Sequence, residues 1–547
     1  MIYRIYNFIL GPFLNSKIMS YGLLALVCFL MAGSALIAAF GLVPLKMLPF
    51  DNKNELQIVI DMPEGTTLEQ TDAVVRDYED FLRRVPEVTD FESYVGTASP
   101  MDFNGMVRHY YFRQGENVAD IRINLADKDY RKQQSHTIAL RLREEITAIA
   151  RKNRANVKIV EVPPGPPVIS TVVAEIYGSP DKTYQETIDV AKTVRRKMET
   201  VRAMVDVDDT VEYPQPKLIF EVDRQKAAVS GITPEQIAQT LELVLGGRKV
   251  GVVHVPSERH PLTILLRLPR PERSSREDLS RVAVKSDTGA MVQIAELGSF
   301  RDTSLDVSIY HKNLNRVVYV FAEMAGRAPA EAIFELQSHF KKNPLPKGFT
   351  LVWSGEGEWQ ITLDVFRDLG IAFGAALVGI YILLIIETDS FFMPVVIMVA
   401  IPLTMIGIMP GFFLLNILTN RPAGGFEDPT FFTATAMIGM IALAGIVVRN
   451  SIILIDFIHH ALKNGMPLRD ALIESGAVRL RPILLTAGTA LLGNWVITLD
   501  PIFSGLAWSI IFGVFASTAF TLVVIPIIYN LLFAHKHVTT TDEVTMP

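Results

Sequence analysis

The chain has 547 residues, 49% of them hydrophobic and 20% charged, with a mean hydropathy of +0.28 and a formal charge of −6 from 52 basic and 58 acidic residues. That length would make roughly three or four ordinary domains of about 150 residues, but the positive mean hydropathy excludes a purely soluble enzyme and a disordered scaffold. No basic field exists to hold nucleic acid, and a single cysteine, Cys28, inside an apolar run excludes a disulfide framework and a cysteine-ligated zinc site.

Residues 1–18 place Ile2, Tyr3, Ile5, Tyr6, Phe8, Ile9 and Phe13 in a run too short to span a bilayer. They suit an interfacial amphipathic helix lying on lipid, the alternative being a flexible leader. Six stretches are apolar enough to cross about 30 Å of hydrocarbon, which takes roughly 20 helical residues. They are Tyr21–Leu45, Leu369–Ile386, Phe391–Leu415, Phe431–Ile458, Pro482–Leu499 and Gly505–Phe533. The first is too long for a signal peptide and reads as a retained anchor. The short loop between the fourth and fifth spans carries Lys463, Arg469, Arg479 and Arg481. Positive charge marks the cytoplasmic side, so both termini are expected there and residues 47–365 outside, in a periplasm or its equivalent. Arg4, Lys17 and Lys536 agree.

The outer region alternates between period-2 and period-3.6 patterns. Leu56–Met62 reads as a strand, Thr66 with Glu69 as a capping box opening a helix with Val74, Tyr78, Phe81 and Leu82 on its apolar face, and Thr89–Val95 as a second strand. The order then recurs with Ala119–Leu125, a helix carrying Ile138, Leu142, Ile146 and Ile149, and Val157–Val162. Two such units in series predict a ferredoxin-like subdomain, closed by the stiff Pro163–Pro167 run. A second pair follows: Val172–Tyr177, a helix with Ile188, Ala191, Val194 and Met198, and Val205–Val211; then Val317–Met324, a helix with Ile333, Leu336 and Phe340, and Phe349–Trp353. Between them, 217–305 reads as a strand-rich insert, with Gly246–Pro261 as an extended hairpin or arm.

The chain contains no Walker-type loop, no dinucleotide fingerprint and no His-Glu-x-x-His. A hydrolytic enzyme, an ATP-driven motor and a bound cofactor are therefore unsupported. Its histidines lack ligand spacing, and no metal site is expected. The informative anomaly is Arg449, followed by Asn450, near the middle of the fourth span. An arginine there costs at least about 2.5–3.5 kcal/mol, so it must face protein or water and find an acid. Gly445 and Ala442 share its face and allow close helix approach; Asp456 lies two turns further on, near the membrane edge. No other span carries a carboxylate at matching depth, which places the partner outside this chain. Arginine does not release its proton, so it can serve only as a fixed cation beside a titrating carboxylate, or as half of a permanent ion pair. Thr486 and Asn494 can hydrogen-bond inside the fifth span. Met101 and Met106 flank Phe103 in a polar loop, Gly96–Gly105, that either contacts substrate or is an ordinary surface loop.

One span, two interrupted ferredoxin-like subdomains and five further spans resemble one half of a resistance–nodulation–division (RND) transporter. The strings KMLPFDN at 46–52 and DMPEGTT at 61–67 are similar to the first helix exit of the family's carboxyl-terminal half. AGIVVRNSIILID at 444–456 and VRLRPILLT at 478–486 are similar to its relay helix and the helix after it. The resemblance implies a membrane α-helical protein with an α+β periplasmic domain: an interfacial helix (1–18), a first transmembrane helix (19–46), a porter subdomain (47–164), a second one (165–216 and 306–360) holding a docking subdomain (217–305), a five-helix bundle (366–534) and a cytoplasmic tail (535–547). It implies a proton-driven secondary transporter, not an enzyme, in a bacterial inner membrane.

By the same resemblance Arg449 stands at the relay lysine, with Asn450 beside it, Thr486 at the relay threonine and Arg479 at the basic residue of the cytoplasmic entry, while Met101, Phe103 and Met106 border the substrate path. Family pumps carry about twelve spans in two repeats, with the paired aspartates in the other repeat. The chain is therefore expected to need an amino-terminal half on a separate chain, in a trimeric assembly with a periplasmic adaptor and an outer-membrane channel. Hydrophobic or amphiphilic cargo is expected in preference to metal. The competing readings are a half-size secretion-accessory or lipid transporter, and a membrane-anchored binding module without transport.

Overall fold

The computed structural model of the chain describes residues 2–165 and 168–542, so Pro166 and Pro167 of the proline-rich boundary and residues 543–547 of the expected tail lie outside the described residues. The fold separates into two compact units, Met1–Val211 with Ile309–Pro547, and Glu212–Ser308.

In the larger unit, α1 (Ile2–Asn15) ends at Ser16, whose hydroxyl accepts from the Met19 amide to start α2 (Lys17–Ala39). The helix stops at Ala39, short of the expected Leu45. Gly41 turns the chain at φ +68°, and Leu45 forms a bridge with Phe432 instead. Then come β1 (Glu55–Asp61), α3 (Leu68–Leu82), β2 (Val88–Thr97), α4 (Phe103–Val107), β3 (Gln114–Leu125), α5 (Ser135–Asn153) and β4 (Asn156–Glu161). The sheet order is β2-β3-β1-β4 with antiparallel pairs, and the register sets Ile58 between Ile121 and Ile159. Those inward residues meet Tyr78 and Leu82 of α3 and Ile138 and Ile146 of α5, all buried. The box that opens α3 is Thr67 with Gln70, one residue beyond the expected Thr66 and Glu69. Thr66 is occupied elsewhere, its hydroxyl donating to the Pro63 carbonyl at 2.6 Å.

The second sheet begins with β5 (Val172–Gly178), α6 (Tyr184–Met198) and β6 (Met204–Asp209). The smaller unit interrupts it with β7 (Pro216–Val222), α7 (Arg224–Val229), α8 (Pro234–Leu245), β8 (Arg248–Val253), β9 (Leu262–Leu266), α9 (Arg276–Ser280), β10 (Ala283–Lys285), β11 (Met291–Gln293), α10 (Ile294–Leu297) and β12 (Gly298–Ser304). This insert is less strand-dominated than its sequence suggests: α7, α8 and α10 supply Ala227, Ile237, Ile294 and Leu297 to its core. The expected arm, Gly246–Pro261, covers only the first strand and the turn of the β8–β9 hairpin, which runs on to Leu266 and is exposed along both strands. The sheet resumes with β13 (His311–Lys312), β14 (Asn315–Met324), α11 (Pro329–Lys342) and β15 (Phe349–Val352), giving the order β6-β14-β5-β15. Both sheets thus share one topology, that of the split βαβ.

The remaining helices are α12 (Glu358–Thr388), α13 (Met393–Met398), α14 (Ala400–Leu403), α15 (Met405–Thr419), α16 (Ala434–Lys463), α17 (Leu468–Trp495) and α18 (Ser504–Asp542). Among the described residues, six helices, counting α13–α15 as one, are long and apolar enough to cross a membrane. Pro402 lies where α13–α15 is segmented, because it has no N–H for the Met398 carbonyl. Small residues set the crossings: a Cβ added at Gly439 would enter the Leu506 backbone, and one at Gly407 the Phe512 backbone. Helix α17 starts at Leu468, fourteen residues before the expected Pro482, so Arg469, Arg479 and Arg481 ride on the helix itself and the α16–α17 connection is only 464–467. A polar first half of the helix hid this from a hydropathy reading. The connection before α16 reaches the first sheet unit, where Thr137 Oγ1 donates to Asp428 Oδ2 at 2.6 Å.

Candidate functional site

Helix α16 is capped by Thr433, whose hydroxyl accepts from the Ala436 amide, and it is buried along one side by Leu443, Val447, Val448, Ser451, Leu454 and Ile458. Its other side is open. Ile438, Ala442, Gly445, Arg449 and Asp456 are all exposed, and a Cβ added at Gly445 would meet nothing. The close approach that Gly445 permits is therefore not used by any described helix of this chain.

Arg449 has no ion-pair partner among the described residues. Asp456 is seven residues along the helix, which at 1.5 Å per residue is roughly 10 Å away, too far for a direct pair. Asn450 points the other way and is 5% exposed within the bundle. Successive helix residues are about 100° apart, so the pair could not share a face. Thr486 on α17 is exposed and donates to the Ile483 carbonyl of its own helix at 2.9 Å. Arg479 does cross between helices: its guanidinium carbon lies 5.1 Å from the Phe457 ring of α16, and its Nε is buried without a hydrogen-bond partner among the described residues. The fold thus brings Arg479 next to Phe457, the neighbour of Asp456, and leaves Arg449 and Thr486 on open surface.

In the first sheet subdomain, the loop after β2 is more ordered than its polar composition suggests. Asp102 caps α4 by accepting from the Gly105 amide at 2.5 Å. Arg122 of β3 holds the loop base, donating to Asp102 Oδ2 at 2.6 Å and to Ser99 Oγ at 3.1 Å. Arg108 donates to Glu323 of β14 at 2.8 Å, and Arg113 to Asp61 at 2.6 Å and to Asp120. These anchors leave Met101, Phe103, Met106 and Phe112 facing solvent, 62%, 65%, 41% and 67% exposed. Phe112, tilted against Tyr111 at 4.1 Å, adds an exposed ring that no sequence motif marks.

Behind the loop a charge cluster joins the two sheets. Lys158 of β4 reaches Asp61 at 2.9 Å and Asp208 of β6 at 2.7 Å, and Arg195 reaches Asp209 at 2.8 Å. Burial pushes the Asp61 carboxyl up, but Lys158 and Arg113 outweigh it and hold the carboxyl well below the usual carboxylate range. Nothing in the sequence pattern pairs these groups, which lie far apart in the chain.

The profile of the AcrB/AcrD/AcrF family matches residues 1–533. The chain is 25% identical over 380 residues to the cobalt-zinc-cadmium resistance protein CzcA of Cupriavidus metallidurans, covering 68% of this chain and 34% of that protein. It is 23% identical over 343 residues to the multidrug resistance protein MdtC of Proteus mirabilis, covering 61% and 32%. A crystal structure of a heavy metal efflux pump superposes with a TM-score of 0.77 at 21% identity, over 97% of this chain and 51% of that one. The chain therefore spans only about a third to a half of the proteins it matches.

Proposed function

Because the chain belongs to the AcrB/AcrD/AcrF family, we propose that it is one half of a proton-driven efflux transporter of a bacterial inner membrane, with the sheet domain in the periplasm and the matching amino-terminal half on a separate chain. The observation that carries this reading is the open face of α16: a cation inside a membrane helix, with a glycine ready for close contact and no described residue of this chain upon it. An aspartate pair on the matching half would face Arg449. When either carboxylate takes up a proton, the attraction to the guanidinium falls, and the helices carrying the two sides are free to shift. Thr486, also exposed, would take the relay hydroxyl's part, and Arg479 would stand at the cytoplasmic approach.

Cargo would pass the patch of Met101, Phe103, Met106 and Phe112, whose aromatic and thioether surfaces suit hydrophobic or amphiphilic compounds. The name of CzcA and the soft sulfurs of Met101 and Met106 favour metal cargo as the second reading. Residues 217–305 would dock an outer-membrane channel, alongside a periplasmic adaptor, in a trimeric assembly.

Co-expression with a matching half tests the proposal. Cells carrying both chains should clear a lipophilic cationic dye faster than cells carrying either one, and Phe103→Ala should slow that clearance. Dye clearance unaffected by either chain, together with clearance of zinc or cobalt, would move the reading to metal. Clearance of neither would remove efflux.

A further inference from the structure

Helix α1 is pinned to the bundle at Tyr6, which is 4% exposed and whose hydroxyl donates to the Leu522 carbonyl of α18 at 2.5 Å. That acceptor is free for a covalent reason. Pro526 lies inside α18, and a proline has no N–H to give to the carbonyl four residues back, which is that of Leu522. The Tyr6 hydroxyl thus supplies from a different helix the donor that α18 cannot supply itself.

To reach it, the ring crosses α17 at Gly476, where any Cβ would fall onto the ring atoms. Leu10, Ile473, Ile483 and Ile527 close the contact, all buried. Arg469 of α17 fixes the rest of α1 by donating to Asn15 Oδ1 at 3.0 Å and Asn7 Oδ1 at 3.4 Å.

The opposite face of α1 is apolar and open. Ile5, Phe8 and Ile9 are exposed, Phe8 at 82%. Residues 1–17 contain Arg4 and Lys17 and no acid. An apolar face with only cations beside it fits the headgroup–acyl boundary of an anionic leaflet. That face also continues through Ser16 into α2, a helix of span length whose most apolar stretch is only 11% buried within the chain.

We propose that α1 is a lipid-seated strap, its outer face in the leaflet and its inner face using Tyr6 to pin the proline break of α18 against α17, one turn before Arg479. Tyr6 is then a positioning residue for the α17–α18 pair. The inference rests on the membrane orientation proposed above but not on transport.

The full chain, with Cys28→Ser, in nanodiscs of phosphatidylethanolamine and phosphatidylglycerol supplies the test. A nitroxide at Phe8→Cys should be relaxed by oxygen and shielded from a water-soluble nickel chelate. Relaxation by nickel equal to that of a label at Glu258→Cys, or shielding from both agents by covering protein, would overturn the lipid seat. A label pair at Val478→Cys and Leu532→Cys should give a single narrow distance distribution that is lost in Tyr6→Phe, which keeps the ring and removes only the hydroxyl. An unchanged distribution would overturn the pin. Neither reading requires a transported compound, so a failure of the efflux proposal would leave both outcomes interpretable.

Discussion

A guanidinium on the open face of a membrane helix, without an ion-pair partner among the described residues, is a cost to the chain that carries it. Replacing Arg449 with leucine should therefore have opposite effects on stability and on work. In the chain alone, Arg449→Leu is expected to raise the detergent thermal midpoint, by up to about 3 kcal/mol of stability on insertion scales. In the assembled transporter it should abolish proton coupling. A lowered midpoint in the isolated chain would mean that Arg449 already has a partner. The first sheet subdomain supplies the contrasting case. Asp61→Asn leaves Lys158 and Arg113 each with one remaining carboxylate, so it should cost about 2 kcal/mol, below the 3–5 of a fully orphaned buried charge. Because the folded Asp61 carboxyl sits lower than the unfolded one, its contribution is present above about pH 4 and is lost as pH falls through the folded value. The wild-type domain should lose stability on acidification below that point more steeply than Asp61→Asn, as measured by chemical denaturation across pH 2 to 5 (roughly the carboxylate range).

At the scale of elements, helices and strands were legible where burial imposes a period. The alternation of Ala119, Ile121, Ile123 and Leu125 is the inward face of β3, and Ile138, Leu142 and Ile146 are the inward face of α5. Boundaries were less legible, because they depend on single hydrogen bonds. Thr66 and Thr67 both precede an acid or amide at the right spacing, and only the bond of Thr66 to Pro63 decides between them. Thr67→Ala should cost about 1 kcal/mol and Thr66→Ala clearly less, in equilibrium unfolding. The α17 boundary was missed because hydropathy sees lipid and not helix: its charged first half carries Arg469, Arg479 and Arg481 on the same rod as Thr486. Crossings between helices are set by glycines that no pattern singled out. Gly439→Val should disrupt the α16–α18 contact, costing about 1–3 kcal/mol or more, because the obstacle is Leu506 backbone and cannot turn aside. Helix α4 had a readable cue, Asp102 before Phe103, which the polar composition of the loop obscured.

For the whole molecule, the candidate site was half legible. The cation at Arg449 stands out in any apolar run, and its outward direction follows from the helical period once the buried side of α16 is known. That Asn450 faces the bundle follows from the same period. The ion cluster joining the sheets and the Tyr6 pin could not be read, since each depends on contacts across distant parts of the chain. What unites these features is a protein whose open membrane face is charged and small-sided, matched by relatives about twice as long. The proposed function requires carboxylates of a matching half on that face. Proton flux into proteoliposomes holding both chains, driven by an imposed pH gradient and read with and without a transported dye, tests it most directly. Dye-stimulated flux in the wild type that disappears in Arg449→Ala is the predicted result; equal stimulated flux in Arg449→Ala, or flux from this chain without its partner, would contradict it.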